Sequence, residues 1–93
     1  MSKSTIKTIW KYELEKVGGD QSLSMPPLSD VVRVGMQGCR VCLWALVVPV
    51  DAKSFRARTF RITGTGQPVS EEAAYVGGCS DGQFEWHVWE TTL

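Results

Sequence analysis

Ninety-three residues, 43% hydrophobic and 22% charged, describe one small domain with a single core and no room for a second. Ten Lys and Arg balance ten Asp and Glu, so the positive excess of a nucleic-acid binder is absent. The longest apolar run, Val41 to Val50, has about half the ~20 residues that a membrane-crossing helix needs. The N-terminus also lacks an apolar stretch before a small-residue cleavage site, so neither a transmembrane helix nor a signal peptide is expected.

Along the chain, periodicity favours strands nearly everywhere. Thr8 to Leu14 alternates, with Trp10, Tyr12 and Leu14 on one face and Lys11 and Glu13 on the other. Gly18-Gly19-Asp20 reads as a turn. Ser22 to Met25 alternates again and stops at Pro26-Pro27, which cannot continue a central strand. Val31 to Met36 predicts a third strand with Val32, Val34 and Met36 on one side, and Gln37-Gly38 turns the chain into Arg40 to Val48. That run is apolar on both faces, as a central strand should be. Its tryptophan, Trp44, is expected to be buried.

Phe55 to Thr63 carries arginines at 56, 58 and 61, with Phe60 and Ile62 on one face. Gly64 to Pro68 is dense in turn residues. Glu71 to Tyr75 fits either one helical turn or the approach to a short strand through Val76. Gly77-Gly78 and Asp81-Gly82 bracket a tight connection, and Gln83 to Glu90 alternates Phe84, Trp86 and Val88 against Glu85, His87 and Trp89. The whole predicts an all-β fold: six to seven short antiparallel strands in a small sandwich or barrel, with at most one helical turn. It forms a single domain over residues 1–93 with an ordered core at about 6–90.

The charges are balanced but not mixed. All ten Lys and Arg, and five of the acids, precede Ile62, giving +5; the remaining five acids give −5. In one reading the ends of the chain pair within a sheet, acid against base. In the other the surface is dipolar and attracts an anion to its basic side.

Cys39, Cys42 and Cys79 are odd in number and suit a reducing compartment. With His87 they could compose a Cys₃His zinc set, but Cys39 and Cys42 would point to opposite sides of one strand. No metal or other cofactor is expected. His87 is the sole histidine, and no nucleophile stands at a telling spacing from it, so catalysis is not expected.

The candidate binding residues are Arg56, Arg58, Arg61, Gly64, Thr65, Gly66, His87 and Trp89. Gly64-Thr65-Gly66 lacks the endings of the dinucleotide and P-loop fingerprints. It is a hairpin turn, or a nest of backbone N–H groups for an anion. The arginines either guard an exposed strand edge or contact a phosphate or carboxylate. Trp89 shares its face with Glu85 and His87. There it either covers the end of the core or anchors a partner.

In order, Thr8-Ile9-Trp10-Lys11-Tyr12-Glu13, Met25-Pro26, Cys42-Leu43-Trp44-Ala45-Leu46-Val47, Arg58-Thr59-Phe60-Arg61-Ile62, Gly64-Thr65-Gly66-Gln67-Pro68, Tyr75-Val76-Gly77 and Trp86-His87-Val88-Trp89-Glu90 carry a resemblance across about residues 6–90. The series resembles a family of small uncharacterised tailed-phage and prophage proteins known only as a domain of unknown function. That family often has His at the place of Gln67, which puts a side-chain role there in doubt, and frequently Phe at the place of Trp89.

The resemblance implies a phage-encoded accessory protein in the cytoplasm of the infected bacterial host. With no catalytic set, the expectation is a binding protein that takes over a host factor or defence pathway. Its partner would be a host protein or a sequestered anionic, nucleotide-like small molecule, with no membrane or nucleic acid involved. A virion-associated or structural part that oligomerises through its sheet edges is the other reading.

Overall fold

Alternating apolar residues give each strand one face to bury, and seven such strands bury theirs against one another. The computed structural model describes residues 6–15 and 17–92. Its strands are β1 (Thr8–Leu14), β2 (Asp20–Met25), β3 (Ser29–Gln37), β4 (Arg40–Val47), β5 (Arg56–Gly64), β6 (Ala74–Ser80) and β7 (Glu85–Glu90), with one 3₁₀ turn at Ala52–Ser54. They form a three-stranded sheet ordered β1-β4-β3 and a four-stranded sheet ordered β2-β5-β7-β6. Every pairing between these strands is antiparallel. The all-β expectation holds, and β4 lies in the middle of its sheet as its two apolar faces predict.

The two sheets enclose Leu14, Met25, Val41, Leu43, Ala45, Val47, Phe60, Ile62 and Val88. Trp10, Tyr12, Val34, Met36, Val76 and Trp86 are packed around these residues. The chain passes between the sheets at Gly18, which has φ +81° and donates its N–H to the Ile62 carbonyl at 2.9 Å. The β3–β4 hairpin turns at Gly38 and Cys39. Gly38 has φ +61°, the left-handed value that the first position of a type II′ turn demands.

Several expectations are corrected. A bulge between Val31 and Arg33 turns Val32 out to solvent, 56% exposed, and puts Val31 with Val34 and Met36 against the core. The extra residue breaks the two-residue period. Of the two readings of Glu71 to Tyr75 the approach to a strand holds and the helical turn does not, since residues 71–72 are a turn and β6 begins at Ala74. Gly77 and Gly78 lie inside β6. A side chain at 77 would start 2.9 Å from Val34 Cγ2, so the missing Cβ lets the two sheets close there.

Trp44 is only half-buried. It stands on the outer face of its sheet with the Arg33 guanidinium 4.8 Å above its ring. Cys39 is exposed in the hairpin turn and Cys42 is fully buried. Cys79 pairs with Trp86 while His87 pairs with Gly78, so Cys79 and His87 face opposite sides of the larger sheet. Among the described residues no three His, Cys, Asp or Glu side chains converge on a metal position.

Candidate functional site

β5 lies between β2 and β7, so its arginines do not guard a sheet edge. Alternation along the strand separates them. Arg56, exposed at the start of β5, makes no ion pair among the described residues. Arg58 points inward, where its Nε and Nη2 donate to the Glu90 carboxylate at 2.8 and 2.7 Å. Its Nη1 donates to the Ser29 carbonyl of the other sheet at 2.7 Å, and its Cζ is 5.6 Å from the Phe60 ring centre. This forked contact holds the Glu90 carboxyl below its ordinary pKa, the Arg58 hydrogen bonds being the main cause. Arg61 points outward and donates to Asp20 Oδ1 at 2.8 Å. Two of the three cations are thus engaged by carboxylates, and the trio does not converge.

The glycine turn is built by its own residues. Gln67 N–H donates to the Gly64 carbonyl at 3.1 Å. Gly66 has φ +88°, as the third position of a type II turn requires. Gln67 Oε1 also accepts the Gly64 N–H at 2.7 Å, so this side chain braces the turn. Arg61 lies three residues back along β5, about 10 Å away at strand spacing.

What the fold does bring together at this turn is His87 and Trp89, on the outer face of the larger sheet. His87 Nε2 is 3.2 Å from Thr65 Oγ1, and its Nδ1 is 3.1 Å from the Tyr75 hydroxyl. Trp89 Nε1 donates to Thr63 Oγ1 at 3.0 Å, and its ring meets Tyr75 edge-on at 5.0 Å. Tyr75 crosses above Gly78, where a Cβ would stand 2.8 Å from its hydroxyl and 3.0 Å from the Trp86 carbonyl. Gly78 therefore makes the bridge possible.

A shallow cavity of about 340 Å³ opens here, lined by Thr65, Gly66, Gln67, Tyr75, His87 and Trp89 among others. A second, of about 360 Å³, lies on the other side of the turn. It shares Gly64, Thr65 and Gln67 and adds Gln83, Phe84, Glu85 and Trp86.

Over residues 5–93 the chain matches the domain of unknown function DUF7352. It belongs to the DUF7352 family. No curated protein and no solved structure matches it.

In this DUF7352 domain the sequence pointed to Gly64, Thr65, Gly66, His87 and Trp89, and these residues lie together. Tyr75, Thr63 and Gly78 complete the cluster and were missed, and Gln67, whose side-chain role the resemblance put in doubt, has one after all in bracing the turn. Tyr75 faces Trp89 only because a bulge between Tyr75 and Gly77 shifts the β6–β7 register, and nothing in the alternation of the sequence announces that shift.

Proposed function

We propose that this DUF7352 protein is a phage-encoded accessory protein that acts without catalysis, by binding a regulatory or defence protein of the bacterial host in the cytoplasm of the infected cell. The observation that carries this reading is the aromatic surface on both sides of the 64–67 turn. Tyr75 and Phe84 are each 55% exposed. They stand on strands or tight hairpins, beside His87, Trp89 and Trp86. Aromatic side chains held this rigidly supply a large contact area with little conformational entropy left to lose. Capture of an anion draws less support, because Arg58 and Arg61 are already bonded to carboxylates.

The test is affinity purification from infected cells with quantitative mass spectrometry, comparing the wild type with Tyr75→Ala and Phe84→Ala. One host protein should be enriched by the wild type and fall about tenfold or more with either variant, the midpoint of thermal unfolding being checked for each. Enrichment indifferent to both substitutions, or no host protein enriched at all, overturns the proposal. Recovery of the protein from purified particles would favour the virion reading instead.

A further inference from the structure

The edge of β1 carries a charge pattern that fits a second copy of itself. Among the described residues β1 pairs with β4 alone. Its outward-facing row, continued one residue beyond each end, runs Lys7, Ile9, Lys11, Glu13, Glu15, and all five are exposed. The row is basic at its N-terminal end and acidic at its C-terminal end. No other edge strand has this form. β2 contains only Asp20 and stops at two prolines, β6 contains no charge, and β3 has its Val34 against Gly77 of β6.

An antiparallel copy lays the basic end of one row against the acidic end of the other, whereas a parallel copy would set like charge on like. A continuous sheet across a two-fold axis also requires outward residues to face outward residues, so in the registers about the middle of β1 the axis falls on Trp10, Lys11, Tyr12 or Glu13. On Lys11 or Glu13 that charge meets its own copy, and on Trp10 the side chain facing Lys11 is the uncharged Ile9. With the axis on Tyr12, Lys11 stands opposite Glu13 of the second copy, twice, and this register alone sets unlike charges directly beside the axis. It places Trp10 opposite Leu14. Trp10 and Tyr12 are both half-buried at this edge, and the buried Tyr12 hydroxyl has no hydrogen-bond partner among the described residues.

We infer that the protein forms a two-fold dimer by antiparallel β1–β1 pairing with Lys11 opposite Glu13, joining the two three-stranded sheets into one of six strands. The contact is separate from the aromatic face and does not depend on it.

Sedimentation equilibrium on the purified full chain tests the inference. The wild type should give twice the chain mass at micromolar to millimolar concentration. Lys11→Glu and Glu13→Lys should each weaken the dimer about tenfold, since each places like charges opposite twice. The double variant Lys11→Glu/Glu13→Lys should return to within a few-fold of the wild type. That recovery would also show that neither exposed substitution acts by unfolding the chain. A monomer over the whole range, a dimer insensitive to both single reversals, or a double variant no tighter than the singles overturns the inference. So does a dimer lost on Tyr75→Ala but not on Lys11→Glu, which would place the contact on the aromatic face.

Discussion

Arg58 shows how far a residue's role departs from its type. In the sequence it is one of three arginines on a strand, equally suited to a ligand or to solvent. In the fold its parity with Phe60 and Ile62 turns it inward. There the guanidinium meets Glu90 of β7 and the Ser29 carbonyl of β3, tying both sheets at one end of the core. The two side chains are 23% and 21% exposed, which leaves the pair little screening by water. The pH consequence follows from Glu90. Its folded pKa lies below the ordinary value of about 4.5, so between the two the unfolded chain binds more protons and stability rises with pH. The pair's contribution is fully present above about pH 5 and is lost as pH falls through the lowered value. Glu90→Gln should lower stability at pH 7 by about 2 kcal/mol, under the cost of breaking a fully buried pair. It should also flatten the loss of stability between about pH 5 and 3. Urea titrations of both proteins across that range would check it, and an unchanged acid slope would refute the assignment. Asp81 should contribute to the slope that remains, its carboxyl being held low by the Phe84 N–H, the Trp86 indole and the Gln83 N–H.

At the scale of elements, most of the architecture was legible, because a two-residue period is a direct image of a sheet with one buried face. The bounds of β1 were read correctly, and so was the central place of β4. What could not be read were the two bulges, at Val31/Arg33 and at Tyr75/Gly77. A bulge is chosen by the partner strand and the packing beneath it, not by local propensity. It also reverses every facing that alternation would assign beyond it. The first moved Val32 from the core to the surface. The second brought Tyr75 over Gly78 to His87 and Trp89, so the part of the candidate site that went unseen is the part that depends on register. Paired substitutions measure the first bulge. Val32→Thr should leave stability within about 0.5 kcal/mol of the wild type, as at an ordinary surface position. Val34→Thr keeps the shape but places a hydroxyl against Gly77, and should cost about 1–2 kcal/mol for a polar group without a partner. Equal losses at the two positions, seen as equal shifts of the urea midpoint, would mean that Val32 is not outside the core.

The whole molecule is held by connections that are long in sequence. Only β3–β4 and β6–β7 are hairpins between neighbouring strands. β1 pairs with β4, β2 with β5 and β5 with β7, each across at least one intervening strand. The charges repeat the theme in reverse. Arg58–Glu90 is the one ion pair among the described residues that joins the basic first part of the chain to its acidic end; the others, Lys11–Glu13, Arg40–Glu13, Arg40–Glu15 and Arg61–Asp20, all lie within the first part. Local pairing therefore leaves much of the asymmetry in place, and attraction between the two ends does little to draw the long connections closed. Closing them costs loop entropy before any core contact forms in return, since β5 cannot be covered until β2 and β7 both arrive. Refolding should accordingly run on the millisecond-to-second scale of two-sheet β proteins, and not on the microsecond scale of local folds. The four tryptophans supply the signal, and stopped-flow fluorescence after dilution from urea is the measurement. Refolding complete within the dead time of mixing would contradict the topology, because no order of assembly of these sheets avoids the β1–β4 and β2–β5 closures.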